Sequence, residues 1–428
     1  MAVSIAISAL TCVFMIYMVV RGSSFSKLRI PLYPLVVMTG AFFMLAFGVL
    51  PFDEAIRTFT SSGAVNPLKI ITLFFSMSAL SIYLDEAGFF DFLAVKILRY
   101  ANKKQIHLFL ILYVLVSFLT VFTSNDIVIL TFTPFICCFC KNAGISPIPY
   151  LIEEFVAANT FSMLLVIGNP TNIYLSLASG IGFAEYFMSM CLPTLAGGTV
   201  ALAVMLLIFA KQLKEEIHIS ECKADADLPR VVIGAICLGC ATVALALSDF
   251  LPFEMWQIAL FFALLLFALS VVYKITGGGR ESGIKNMFLR IPWLLFPFVS
   301  SMFIIVSALD HTGVCAEMAK VFDVCSHIFS YGILSTVFSN LVNNIPMSVL
   351  FASVAEAGNV GRDAVYATVI GSNLGAYLTP VGALAGIMWG QILREHNVKM
   401  TFPKFCTYGA AIVAPTLLAS LTVLMLTQ

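Results

Sequence analysis

Charge is scarce in this chain. Asp, Glu, Lys and Arg together make up 11% of the 428 residues, where roughly 25% is usual in a soluble domain. The 23 basic and 23 acidic side chains cancel, so no basic surplus supports a nucleic-acid partner. A zinc framework is also missing. The eleven cysteines are scattered without a CxxC…CxxC pair, and the lone Cys237/Cys240 CxxC falls inside an apolar run, where thiols serve as small core hydrophobes. Gly277-Gly278-Gly279 lacks the Gly-Lys-Ser/Thr ending of a phosphate loop, so the chain has no ATP drive of its own. Met1–Val20 has neither a basic leading region nor a small-residue cleavage site, which predicts a retained transmembrane helix. Neither an acid/base pair nor a metal cluster is expected at membrane depth, so the reading is not an enzyme, and no cofactor is expected.

What fills the chain instead is apolar sequence. With 60% hydrophobic residues and a mean hydropathy of +1.00, the expectation is an all-α polytopic protein of the cell membrane. A crossing needs about 20 predominantly apolar residues. The candidates are 2–20, 30–50, 68–84, 150–180, 187–210, 230–248, 254–273, 291–309, 364–390 and 403–426, about ten crossings. Basic residues mark the cytoplasmic loops. Arg21, Lys27 and Arg29; Lys96, Arg99, Lys103 and Lys104; Lys211, Lys214, Lys223 and Arg230; Lys274, Arg280, Lys285 and Arg290; and Arg394, Lys399 and Lys404 all fall on one side, which places both termini outside.

Two polar interruptions organise the rest. Thr123-Ser124-Asn125-Asp126 splits the apolar stretch 106–140, and Asn343-Asn344, followed by Pro346, splits 327–356. Each arm is short for a full crossing, which predicts two re-entrant hairpins. Hydrocarbon satisfies neither these side chains nor unwound backbone, so such breaks line a cavity. The competing reading is a pair of surface turns. Inverted repetition argues against it. Leu84-Asp85-Glu86-Ala87-Gly88 and Leu309-Asp310-His311-Thr312-Gly313 each close a crossing, lead into an amphipathic run and precede a polar-broken pair. An odd number of crossings separates the copies, so they lie in opposite orientations. The predicted organisation is a first repeat over 1–210, a cytoplasmic linker over 211–229 and a second repeat over 230–428.

Each repeat also carries an interrupted crossing: Gly168-Asn169-Pro170-Thr171-Asn172 within 150–180, and Gly371-Ser372-Asn373-Leu374-Gly375 with Thr379-Pro380-Val381-Gly382 within 364–390. Glycine permits unwinding and proline removes a donor. Opened backbone offers carbonyls to a cation and helix N-termini to an anion or polar solute, the pattern of a secondary transporter. The predicted substrate and ion site comprises Ser124, Asn125, Asp126, Gly168, Asn169, Thr171, Asn172, Asn343, Asn344, Ser372, Asn373 and Thr379. Asp126 is the sole acid in these segments; a carboxylate partly withdrawn from water can exchange a proton near physiological pH, so it is the coupling candidate, with a helix cap as its alternative role. Cys137, Cys138 and Cys140 do not share one helix face, which favours packing over soft-metal binding. Glu153 and Glu154 open the interrupted helix, where acids suit the N-terminal dipole; an ion-access role is the other reading.

LDEAGFF at 84–90, SNDIVILTFTP at 124–134, PWLLFPFVSSMFIIVSALDHTG at 292–313, NNIP at 343–346 and GSNLGAYLTPVGALAGIMW at 371–389 together resemble the arsenical-pump membrane permease family. That family belongs to an ion-transporter superfamily that includes sodium/proton antiporters and divalent-anion/sodium symporters. The resemblance implies two inverted repeats with re-entrant hairpins, a homodimer, an elevator-type motion, and efflux of arsenite or antimonite in exchange for protons. Asn125 and Asp126 match its Asn-Asp pair; Asn343, Asn344, Asn373 and Thr379 match its second-half polar positions. Ile167–Asn172 instead resembles the sodium and anion branches, which keeps open a sodium-coupled di- or tricarboxylate carrier or a sodium/proton antiporter. A further class is a passive channel, or the membrane subunit of a pump driven by a separate ATPase.

Overall fold

A computed structural model describes residues 1–21, 32–60, 66–98, 104–217, 226–276, 282–323 and 326–428. Lys27, Arg29, Arg99, Lys103, Lys223, Arg280 and Gly277–Gly279 lie outside them. The described residues are helical and form no β-strand. The first half contains α1 (Ala2–Arg21), α2 (Tyr33–Ala46), α3 (Phe52–Thr60), α4 (Pro67–Glu86), α5 (Phe89–Leu98), α6 (Gln105–Phe122), α7 (Asn125–Ala143), α8 (Ile148–Phe161), α9 (Pro170–Ala178) and α10 (Phe183–Ile208). The second contains α11 (Leu228–Ala246), α12 (Met255–Ile275), α13 (Ser282–Arg290), α14 (Leu295–His311), α15 (Val314–Phe322), α16 (His327–Val342), α17 (Asn344–Ala357), α18 (Arg362–Gly375), α19 (Leu384–Glu395) and α20 (Phe402–Thr427).

The halves correspond element by element. Helix α4 packs on α12 and α13, as α14 packs on α2 and α3; α6 packs on α8, as α16 packs on α18; α7 meets α19, as α17 meets α9. Helices α10 and α20 lie against each other. Local chemistry repeats as well: α4 and α14 both end on a glycine in the left-handed region, Gly88 at φ +79° and Gly313 at φ +78°. A side chain is penalised there, so glycine permits the turn that sends the chain into α5 or α15.

Ion pairs sort the loops into two faces. On one face, Arg290 holds Asp85 and Glu86; there the backbones of Lys104 and Glu216 also form an isolated antiparallel bridge, and the Asp227 N–H donates to the Ala87 carbonyl at 3.0 Å. This is the face of the basic loops. On the other, Lys69 pairs with Glu254 at 2.8 Å and His311 with Glu54 at 2.8 Å, while Arg362 pairs with Glu185. Between the faces, α11 and α12 turn Val232, Ile236, Val243, Phe261 and Leu264 outward. Such a dense exposed apolar band suits lipid and would be a liability in water.

Among the described residues, eight segments are long and apolar enough to cross a bilayer: α4, α6, α7, α10, α11, α12, Lys285–His311 and α20. The apolar parts of α1 and α2, Ala2–Met18 and Tyr33–Ala46, are shorter. Two sequence expectations need correcting. Helices α6 and α7 have 18 and 19 residues, longer than the predicted arms, because the helices continue into the polar ends at Gln105 and Lys141. Their break is also narrower than predicted: Asn125 and Asp126 form the first turn of α7. The second pair stays short, with 16 and 14 residues in α16 and α17.

Candidate functional site

Both interrupted crossings are broken in the structure. Between α8 and α9 the chain runs through a 3-10 turn at Val166–Gly168. Gly168 is required there by close approach: a Cβ would lie 2.2 Å from the Ser162 carbonyl oxygen. Between α18 and α19 the break is 376–383, downstream of the predicted Gly371–Gly375, which remains helical. These glycines serve packing. A Cβ on Gly371 would meet Ser335 Oγ at 2.0 Å and the Gly332 carbonyl at 2.2 Å, so their absence of side chain lets α18 press onto α16 in the small-residue manner of membrane helices.

The C-terminal turn of α18 joins two polar groups of residues. On one side, Asn373 Oδ1 accepts from Ser162 Oγ at 2.9 Å and from Asn169 Nδ2 at 3.0 Å. Its Nδ2 donates to Asn172 Oδ1 at 2.8 Å and to the Val369 carbonyl at 2.9 Å. Asn172 in turn donates to the Ser162 and Leu165 carbonyls, and Asn169 caps α9 by accepting from the Thr171 N–H. Ser162 also donates to the Asn159 carbonyl, and Asn159 Oδ1 accepts from Asn125 Nδ2 at 3.0 Å. A chain of buried amides thus runs from α7 through α8 and the first break to α18.

On the other side, Asn340 Nδ2 donates to the Gly375 carbonyl at 2.9 Å and its Oδ1 accepts from Thr379 at 2.7 Å. Asn343 Nδ2 donates to the Val381 carbonyl at 3.2 Å, and the Asn344 N–H to that of Gly382 at 3.0 Å. Asn343 sits at φ 75°, ψ 154°, a region nearly reserved for glycine and costing of order 1–3 kcal/mol for other residues. Two buried polar atoms here meet no partner among the described residues, Asn344 Oδ1 and Ser372 Oγ. Buried oxygens of this kind are rare in finished interiors, and they leave hydrogen-bonding capacity for a solute.

The predicted residues therefore fall into place unevenly. Asn125, Asn169, Asn172 and Asn373 belong to one network; Asn343, Asn344 and Thr379 belong to the second; Ser124 lies buried beside Asn125, and Gly168 and Thr171 shape the first break. Asp126 stands apart: half-buried at the start of α7, it takes no hydrogen bond or ion pair among the described residues and lies within electrostatic reach of Tyr33 on α2. Sequence reading missed Asn159, Ser162 and Asn340. Asn159 and Asn340 lie within apolar helices, and Ser162 caps the C-terminus of α8. Among the described residues neither network contains Lys, Arg, Asp or Glu, so the site offers amides, hydroxyls and opened backbone without fixed charge.

The comparisons with known proteins follow the same outline. The family model described as citrate transporter, CitMHS, matches residues 16–365. The arsenical pump membrane protein of Escherichia coli is 27% identical over 372 residues, covering 82% of this chain and 85% of that protein. Its namesake from Yersinia enterocolitica is 24% identical, with the same coverage of 82% and 85%. Among solved structures, the YdaH transporter of Alcanivorax borkumensis superposes with a TM-score of 0.59 at 13% identity, covering 99% of this chain and 97% of that one. MtrF of Neisseria gonorrhoeae superposes at 0.54 with 14% identity, covering 99% and 94%; at such identity these two speak for the fold alone. A multi-pass helical architecture with paired helix breaks and a buried polar junction, matched over most of its length by membrane transporters, makes this protein a transporter of the cell membrane that belongs to the citrate transporter family, CitMHS.

Proposed function

We propose that the protein exports a neutral polar solute, arsenite or antimonite as the hydroxide, in exchange for protons. The observation that carries this reading is the absence of fixed charge from both amide networks among the described residues, with a lone half-buried carboxylate, Asp126, beside them. Arsenic(III) hydroxide is uncharged at neutral pH and presents hydroxyls that both donate and accept, as amides and serines do. Asn125, Asn169, Asn172, Asn343, Asn344, Ser372, Asn373 and Thr379 would hold it, with Ser124, Gly168 and Thr171 shaping the cavity. Asp126 would carry the coupled proton. The name borne by the relatives, arsenical pump membrane protein, supports the substrate.

An elevator-type motion fits the packing. Helices α6–α10 and α16–α20 hold one another, while α1–α4 pack with α11–α14. Where α4 and α14 face α9 and α17, the lining is apolar, including Phe74, Phe75, Tyr174, Val299, Phe303 and Val349. Such a surface has few hydrogen bonds to break when one group slides on the other. The resemblance further supports a homodimer, each copy with its own mobile group.

A second reading is favoured by the family's own description. Four helix N-termini, those of α7 and α17 at the two polar interruptions and those of α9 and α19 at the two broken crossings, are ends that favour anions; a sodium-coupled di- or tricarboxylate carrier would use them. Arsenite uptake into inside-out vesicles under an imposed pH gradient, without ATP, separates these readings. Uptake that follows the gradient and is lost in Asp126→Asn supports arsenite/proton exchange; sodium-driven citrate flux without arsenite flux replaces it. Arsenite uptake that requires ATP and an added soluble ATPase would make the chain the membrane part of a pump.

A further inference from the structure

Two carboxylates outside the amide networks have no assigned work. Glu153 and Glu154 were expected to open their helix, yet they occupy the second turn of α8 and both are 0% exposed. Glu154 accepts from Thr133 Oγ1 of α7 at 3.0 and 3.1 Å. The Trp389 indole N–H of α19, on a residue 1% exposed, is directed at the same carboxylate but closes a hydrogen bond to no acceptor. Neither oxygen of Glu153 meets any partner among the described residues.

The surroundings supply no positive charge. Among the described residues no Lys, Arg or His pairs with either acid. The titratable groups facing the pair are Tyr113 from α6, Cys137 and Cys140 from α7, Tyr150 from α8 itself and, beyond Tyr150, Glu215. Helices α10 and α18, which also pack on α8, bring no ion pair or hydrogen bond to either carboxylate among the described residues. Each of these neighbours is neutral or negative. Holding two adjacent unpaired carboxylates ionised in such a place costs several kcal/mol apiece, and groups so placed neutralise instead. Among the described residues no group of three His, Cys, Asp or Glu gathers as a metal cage would require. A proton requires no cage.

Position gives that proton a task. Thr133 follows Asp126 by seven residues, two helical turns or roughly 10 Å along the same face of α7. Tyr150, one turn before the pair, donates to Gln105 at the start of α6, next to Lys104 on the basic face. The pair thus lies between that face and Asp126. We propose that Glu153 and Glu154, with Thr133 and Trp389, form a second proton-binding site that loads or releases protons on the basic-face side of Asp126. Its place in the cycle rests on the proton-exchange reading above; the binding of the proton does not.

The test uses the full chain in proteoliposomes, with Glu153→Gln, Glu154→Gln and the double variant. Infrared spectra of the protein without substrate report protonated carboxyls through their carbonyl stretch and its shift in deuterated water. The expected result is a protonated-carboxyl band at neutral pH that weakens in a single variant and more in the double. A band unchanged in all three overturns the site, whatever the substrate. In the second arm, protons released per arsenite taken up are counted with a pH-sensitive dye. The double variant is expected to lose proton movement while arsenite exchange at zero gradient persists; an unaltered proton count overturns the role in coupling. Should the unmodified protein move no arsenite while the infrared band follows the pair, the substrate reading falls and the proton site stands. Glu153→Gln replaces a partnerless group by one of equal shape, so its thermal midpoint is expected to match the unmodified protein and the spectra compare folded molecules.

Discussion

At the scale of single residues, Asn373 carries more of the buried junction than any side chain beside it. Its amide takes two hydrogen bonds and gives two, tying α8, the first break and α18. Asn373→Leu has similar bulk but strands Asn169 Nδ2 and takes one bond each from Ser162 Oγ and Asn172 Oδ1. Each stranded buried group costs about 1–3 kcal/mol, so the thermal midpoint in detergent should fall clearly and transport should vanish; a midpoint within error of the unmodified protein would show the network to be slack. Asn343 makes the opposite case. Its backbone is in a glycine-like region, so Asn343→Gly relieves strain of order 1–3 kcal/mol and should keep the thermal midpoint while losing the contact to Val381 and, with it, transport. Asn343→Val should lose both. Most of these residues were legible because an amide in an apolar run has to be paid for somewhere. Asn159 and Ser162 were not, because Met163-Leu164-Leu165 follows them and an apolar break leaves no polar mark. Glu153 and Glu154 were misplaced because Pro147 starts the helix earlier than the apolar count suggested.

At the scale of elements, the two breaks differ in how glycine is used. In the first, Gly168 lets the 3-10 turn approach the Ser162 carbonyl, which also accepts from Asn172 Nδ2 at 2.8 Å. Gly168→Ala must push that carbonyl away, with an overpacking cost of about 1–3 kcal/mol. The expected outcome is a lower thermal midpoint and weaker substrate affinity together, measured on the same purified sample; an affinity unchanged at a lowered midpoint would separate the turn from the site. In the second, Gly371 and Gly375 lie on the α16 side, where Ser335 and Ser339 leave room. Glycine spacing in the sequence cannot distinguish an unwound segment from a close helix crossing, since both ask for a missing side chain. The unwound stretch proved to be the one containing Pro380, whose missing donor is a more specific mark than glycine.

For the whole molecule, ion pairs between elements far apart in sequence mark two faces, and the count of Lys and Arg in the loops expects one of them to be cytoplasmic. Loop charges that set orientation also need partners, and Arg290 finds them at Asp85 and Glu86 on the end of α4. Thr131 of α7 donates to the same Asp85 at 2.9 Å, so this cluster ties α13 and α4 to the group of helices containing the amide networks. No comparable bond reaches α17 from the His311–Glu54 pair on the opposite face among the described residues. If the groups slide, the Thr131 bond must break on the way. Arg290→Gln leaves Asp85 and Glu86 facing each other without their cation, loosening the cluster, whereas Thr131→Val removes just the tie to α7. Thr131→Val is therefore expected to shift the resting balance between the faces without lowering the thermal midpoint. The measurement is labelling by a membrane-impermeant maleimide at single cysteines placed at Lys141, in the last turn of α7 at its basic-face end, and at Asn359, in the exposed turn before α18. On a cysteine-free background, Lys141→Cys should label only in inside-out vesicles and Asn359→Cys only in right-side-out ones, fixing the faces. Adding Thr131→Val should alter the labelling rate at one of these positions by more than the scatter between preparations. Rates unchanged at both would mean that Asp85 and Thr131 do not restrain the motion.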